Sequence, residues 1–369
     1  MASAASTAPA VKKVRLGYID IAKGVAMLCI IAGHFGIASV DRVVYTFHVP
    51  LFFLVSGYFL STRLDIRTFI RQKARQLVVP YVCAGLGIML SAALINLAMG
   101  STLPAIGEDT LRILGALIYG AGSAHTEPFA IRQIGLLWFL LGLFFSMIMV
   151  RLALGTKYPL VIVCGLFYVG WKTAQYLWLP FSLQSACTAS LFVYLGYWAK
   201  QHDLLSVKPH VLAVAALVVL WLFCIYEKIS IGLVASDLGA GGLLSVIDAL
   251  GASYLVVLAC KQVEKRLHVL ARGLNFVGQT TLIIMCFHAI ADFTFPNYLL
   301  YAFLGDTLGL MRPLCHIVVV GLNIAWPLFG VFLTNHIPPL KKLFQARPVV
   351  PLPEAEPTGG GGLSGHFCR

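Results

Sequence analysis

The chain has 369 residues, 59% of them hydrophobic and 11% charged, with a mean hydropathy of +0.86. A soluble core of this length does not need so much apolar surface, so composition points to an all-α polytopic membrane protein and excludes a soluble globular domain. The formal charge of +12 comes from short basic clusters between apolar runs, which the positive-inside rule explains, so nucleic acid is a poor partner.

The first fifteen residues form a basic flank like that of a signal sequence, but the run after them carries charges and lacks a small-residue cleavage site. It reads as a retained anchor behind a cytoplasmic tail over 1–17. The first apolar run, Tyr18–Ala38, holds Asp20, Lys23 and His34. Eleven positions are about three helical turns, so Lys23 and His34 share one face about 16 Å apart, with Asp20 close to that face. Ionisable groups in a bilayer normally face protein or a wet cavity, so this stripe suggests a polar path. The short link Ser39–Tyr45 makes the second run, Tyr45–Leu60, an antiparallel neighbour with His48 level with His34. Ser56-Gly57 within it lacks the frame of a nucleophile elbow and is better read as a close helix contact.

An inner loop follows, with Arg63, Arg67, Arg71, Lys73 and Arg75 set against Asp65. Snorkelling anchors and a phosphate site explain it equally well. The later runs are Val78–Met99, Gln133–Val150, Pro159–Gln175, Ser185–Ala199, Val211–Tyr226, Gly242–Cys260, Phe276–Asp292 and Leu314–Thr334. That makes about ten transmembrane helices with both termini cytoplasmic. This orientation keeps about 20 of the 27 Lys and Arg residues inside. The outer connection from Gly100 to Arg132 includes His125 and Glu127 and reads first as a solvated loop, with Thr110–Gly122 as a re-entrant or interfacial piece. In the ninth run His288 and Asp292 are i,i+4 on one face. The organisation expected is one membrane domain over 18–340 and a disordered cytoplasmic tail over 341–369. Nine scattered cysteines read as packing residues, and no metal-ligand spacing is present.

Two accounts compete for each polar residue. His34 is either a neutral imidazole able to take a proton from a hydroxyl or a histidine satisfied by a neighbouring helix. Lys23 with Asp20 is either a self-neutralising pair or a cationic entrance for an anionic ligand. His48, His288 and Asp292 are either relays near His34 or separate interhelical contacts.

The residues together resemble the acyltransferase 3 family of integral membrane acyltransferases, in its fucose 4-O-acetylase-like branch. The resemblance rests on Tyr18-Ile19-Asp20-Ile21-Ala22-Lys23-Gly24, on the ten residues between Lys23 and His34, and on Phe47-His48-Val49-Pro50-Leu51-Phe52-Phe53 running into Ser56-Gly57-Tyr58. It continues through Arg71 and Arg75, Pro80-Tyr81, Leu137-Trp138-Phe139-Leu140, Gly196-Tyr197, and Gly278-Gln279-Thr280-Thr281 leading to His288. It implies transfer of an acetyl group from cytoplasmic acetyl-CoA or another acyl-CoA, a co-substrate with no bound cofactor, to a hydroxyl of a cell-surface glycan or lipid-linked saccharide. The setting it implies is a bacterial cytoplasmic membrane. Lys23 and His34 take the family's basic and histidine positions as catalytic residues with Asp20. Arg63, Arg67, Arg71, Lys73 and Arg75 are the expected contacts for CoA phosphates. A proton-coupled polar-solute transporter using the same stripe is the main alternative, and a non-catalytic scaffold the third.

Overall fold

The computed structural model describes residues 16–124, 126, 130–295 and 297–344. The basic segment before Leu16, the positions His125 and Glu127, and the chain from 345 onward lie outside the described residues.

Every apolar run read from the sequence is helical. In chain order the first helices are α1 (Gly17–Gly33), α2 (Ala38–Val44), α3 (His48–Tyr58), α4 (Ile66–Lys73), α5 (Val79–Ala98) and α6 (Leu103–Tyr119). The middle of the chain forms α7 (Trp138–Ala153), α8 (Pro159–Thr173), α9 (Leu183–Gln201), α10 (Val211–Tyr226) and α11 (Leu243–Arg266). The last are α12 (His268–Gln279), α13 (Thr281–Thr294), α14 (Asn297–Ala302), α15 (Arg312–His336) and α16 (Pro338–Phe344). The described residues contain no strand beyond isolated bridge residues such as Gly232 and Asp237, which pair with each other. Five helical stretches are long and apolar enough to cross a membrane, or six if the bent pair α12–α13 is one span; α8 and α10 are shorter apolar helices. Lipid-facing stripes are visible on them. Leu86, Leu90 and Leu94 lie exposed at i, i+4, i+8 on α5, while Tyr81, Ala84 and Ile88 face inward.

Four expectations are corrected. The link between the first two runs is mostly helix, α2, because Val40, Val43 and Val44 fall at i, i+3, i+4 on one face and Ser39 and Arg42 on the exposed one. Most of the supposed solvated loop Gly100–Arg132 is helix as well. α6 starts seven residues before Thr110 and ends at Gly120, whose φ of 73° terminates it. Its Leu117 packs over Gly85, and its Leu117 carbonyl accepts from Tyr81 Oη at 2.5 Å, so it is clamped to α5.

The ninth run is broken at Thr280, where α12 and α13 meet at 70°. Thr280 Oγ1 donates to the Phe276 carbonyl at 2.8 Å and Thr281 Oγ1 to the Gly278 carbonyl at 3.4 Å, so hydroxyls take over α12's last acceptors. The chain can then turn without leaving them unsatisfied. Helix also extends into the supposed tail, through Phe344 of α16.

Two pairs of glycines set the closest helix contacts. A Cβ on Gly24 would collide with the Leu274 carbonyl, and one on Gly278 with the Asp20 carbonyl, so α1 and α12 meet backbone to backbone. Gly57 and Gly196 do the same for α3 and α9, against the carbonyls of Val193 and Leu54. Between helices, Phe52 and Phe53 of α3 interlock with Phe139 of α7 at centroid distances of 5.7 and 5.1 Å.

Candidate active site

α4 and α5 are one continuous helix through a π-turn, Ala74–Val78. The cause is Pro80: it has no N–H for the Gln76 carbonyl, and its ring would strike that carbonyl in a regular α-helix. Widening the turn relieves the clash. Gln76 and Leu77, inside the π-turn, line a cavity of about 420 Å³ walled by α1, α3, the end of α4, α7, α13 and α16.

The cavity is cationic at one end and apolar in the middle. Lys23, Ser56, Lys73, Gln76 and Thr281 supply its polar lining; Met27, Ile30, Phe52, Phe139, Leu140, Leu143 and Met285 make most of the rest. On α1 the lining residues Lys23, Met27 and Ile30 sit at i, i+4, i+7, and His34 is i+11 on the same stripe. α13 repeats the spacing: Thr281 and Met285 line the cavity, and His288 and Asp292 continue it. Lys23 and Thr281 share the cavity wall, and the rings of His34 and His288 meet edge to face at 5.2 Å. The two helices therefore run side by side in the same direction. The stripe leads from the cavity's cationic end to a pair of histidines.

Each end has its own electrostatics. Lys23 Nζ lies 2.9 Å from Asp20 Oδ1, with the side chains 23% and 10% exposed. The pair is self-neutralised, and its lysine also lines the cavity. At the far end His34 is exposed where α1 stops, and its Nδ1 lies 2.7 Å from the Ile30 carbonyl. A carbonyl can only accept, so Nδ1 carries the proton and a neutral His34 presents its lone pair at Nε2. His48, 5% exposed, gives Nδ1 to the Val44 carbonyl in the same way.

His288 is 1% exposed, and neither ring nitrogen has a hydrogen-bond partner among the described residues. Asp292, exposed one turn further on, is within electrostatic reach of His34 and Tyr45. The structure thus brings His34, His48, His288 and Asp292 into one neighbourhood.

The arginines fall elsewhere. Of the five expected phosphate contacts, only Lys73 lines the cavity; Arg63, Arg67, Arg71 and Arg75 are exposed outside it. Their segment is nonetheless fixed. Arg151 of α7 donates to the carbonyls of Thr62 and Leu64 at 3.1 and 3.0 Å, and Asp65 caps α4 by accepting from the Thr68 backbone N–H at 3.0 Å.

Several residues of the site escape a reading of charges. Tyr45 Oη donates to the Gly33 carbonyl at 3.0 Å, closing the last turn before His34, and its ring packs on His48 at 5.0 Å. Trp221 Nε1 donates to Thr46 Oγ1 at 2.9 Å and holds the next residue. Gln76, Thr281 and Phe344 also line the cavity. Pro80, so close after a basic helix, was the signal for Gln76; Tyr45 and Phe344 had none. No group of three metal-ligating side chains occurs among the described residues.

The site is thus an internal cavity with two lysines in its wall, in a helical membrane protein, and a pair of histidines further along the same helix stripe. The family comparison agrees: residues 16–334 match the model of the acyltransferase domain, and the chain belongs to that family, acyltransferase 3. It is a multi-pass membrane acyltransferase. Neither a curated protein nor a solved structure matches the chain.

Proposed function

We propose that the protein transfers an acetyl group from cytoplasmic acetyl-CoA to a hydroxyl of an extracytoplasmic cell-surface carbohydrate, as in the fucose 4-O-acetylase-like branch. The arrangement is about ten spans in a bacterial cytoplasmic membrane, with both termini inside. The single supporting observation is the continuous α1 stripe, in which Lys23, Met27 and Ile30 line the cavity and His34 ends it.

In this reading the polyanionic CoA lies at the inner end. Arg63, Arg67, Arg71 and Arg75 meet its nucleotide phosphates outside the cavity, and Lys73 meets them at the rim. The pantetheine arm follows the stripe past Lys23, whose orientation Asp20 holds, and carries the thioester toward His34. An acceptor hydroxyl then gives its proton to His34 Nε2 as its oxygen attacks the thioester carbonyl. The C–S bond breaks, the sulfur leaves with the bonding pair, and His34 returns the proton to it. The products are an ester and free CoA. His48 and His288 keep the imidazole in place, and Asp292 favours its protonated form during the transfer. Attack by Nε2 itself, giving an acyl-histidine that the hydroxyl resolves, uses the same lone pair.

The test is labelled acetyl-CoA supplied to one face of sealed vesicles, with mass spectrometry of the glycan. Label should reach the glycan from the cytoplasmic face only, and His34→Ala and Lys23→Ala should lose it. Full labelling in both variants overturns the site; substrate movement without acyl-CoA in its place supports a transporter.

A further inference from the structure

A second cavity, of about 320 Å³, lies between α13, α14 and α15 and takes no part in the donor path. Its walls combine rings and amides: Phe295, Trp326 and Phe329 with Asn297 and Asn323. Trp326 packs edge-on to Phe295 at 5.4 Å, yet its indole N–H is buried without a partner. Asn323, 6% exposed, donates to the Val319 carbonyl at 2.9 Å and to Asn297 Oδ1 at 3.3 Å. Its side-chain oxygen and the Asn297 amide nitrogen make no other hydrogen bond among the described residues. Pro327, inside α15, has no N–H to give the Asn323 carbonyl. The same device operates in the donor cavity, where Pro80 stands four residues after Gln76. A buried indole donor and a proline-released acceptor in one cavity are costly unless something pairs with them.

The cavity adjoins the histidine pair. Phe287, beside His288, packs on Trp326 at 6.4 Å, and Phe35, beside His34, packs on the cluster that includes Leu300 of the cavity wall. Its other flank is apolar and open: Leu322 and Phe329 are 51% and 48% exposed on the lipid side of α15. Aromatic faces with a few fixed amides suit a sugar ring, whose C–H face stacks and whose hydroxyls both donate and accept. An exposed apolar flank suits a hydrocarbon tail.

We infer that the cavity between α13, α14 and α15 is the acceptor subsite and that it takes a saccharide borne on a lipid tail, entering sideways from the bilayer. The inference rests on the acyltransferase reading above and names the form of its acceptor. Asn323, Asn297 and the Trp326 indole bind the sugar, Phe295 and Phe329 flank it, and the tail leaves past Leu322.

The test needs no donor, so it fails or succeeds independently of the transfer reaction. An alkyl glucoside carrying a diazirine on its alkyl tail is irradiated with the full-length protein in nanodiscs, and the labelled peptides are mapped. Labelling should concentrate on α15 around Leu322–Phe329 and on α14. Unlabelled alkyl glucoside should compete, whereas free glucose and an alkanol of equal length should not. Trp326→Phe, which keeps a ring against Phe295, and Asn323→Leu should each lower that labelling about two- to tenfold. Equal labelling of the Leu86, Leu90 and Leu94 stripe, or competition by the alkanol, shows ordinary lipid contact and overturns the inference. So does undiminished labelling in both variants. Competition by free glucose as effective as by the glycoside overturns the lipid-borne form of the acceptor.

Discussion

His34 caps the C-terminal end of α1, where its side chain is both oriented and exposed. Its Nδ1 is spent on the Ile30 carbonyl, which an ending helix leaves free, so its remaining lone pair points away from the helix axis. Removing a general base costs about 10²- to 10⁴-fold. His34→Ala should therefore lose turnover by that factor with the donor KM nearly unchanged, measured as acetyl-CoA-dependent ester formation. Tyr45 acts through the same turn. Tyr45→Phe keeps the ring against His48 but drops the bond to Gly33, so a smaller fall in kcat, about three- to tenfold, is expected without loss of folded protein. Asp65 works on the cytoplasmic side. Hydrogen bonds from the Thr68 side chain and then its backbone hold the Asp65 carboxyl below the usual carboxylate range. A depressed folded-state pKa gives stability that is complete above the unfolded value, near 3.9, and is lost as pH falls through the folded one. Asp65→Asn keeps an oxygen at the cap and should remove that part of the acid sensitivity, read as the thermal midpoint against pH below about 5. Lys23, His34, His48 and His288 were legible as candidates because ionisable groups are rare in apolar runs. Tyr45 was not, since a tyrosine at the start of a span is ordinary and its partner is a backbone carbonyl.

At the scale of elements, periodicity named the helices but could not foresee their breaks. The stripe of Lys23 and His34 follows from 3.6 residues per turn alone, and the structure keeps it. The 70° bend at Thr280 does not follow, because Phe276–Asp292 is apolar on both sides of it and the cause is two threonine hydroxyls capping carbonyls. Gly278 is part of that arrangement: α12 must lie close enough to α1 for its backbone to touch the Asp20 carbonyl. Gly278→Ala would force the helices apart next to the Asp20–Lys23 pair. Overpacking of this kind costs about 1–3 kcal/mol. The expected outcome is a lowered thermal midpoint together with weaker donor binding, whereas Gly273→Ala on the same helix, where a Cβ meets nothing and Ala is the better helix former, should raise the midpoint slightly and leave donor binding unchanged.

For the whole molecule, two prolines stand beside the two cavities: Pro80 follows the widened turn that lines the cavity of Lys23 and Lys73, and Pro327 leaves the Asn323 carbonyl without its helical donor beside the cavity on the other side of α13. The fold places α13 between them, so a helix carrying His288 borders both spaces. This explains why a chain with so few charges spends them as it does. The arginines stay outside, where water screens them, and the two lysines that enter the wall are held, Lys23 by Asp20 and Lys73 over the Phe69 ring at 5.7 Å. Exposed and cavity-lining cations should therefore behave differently toward salt. Replacing Arg63 and Arg67 together with Gln should mainly slow donor capture, an effect that fades as ionic strength rises past about 0.15 M, because long-range attraction is what those groups supply. Lys73→Gln removes a charge-assisted contact inside the wall, worth about 1.5–3 kcal/mol, so acetyl-CoA KM should rise about ten- to hundredfold and stay high in salt. Titrating acetyl-CoA against both variants at low and high ionic strength separates the two roles. An equal salt dependence would mean that Lys73 is no more part of the binding wall than the arginines outside it.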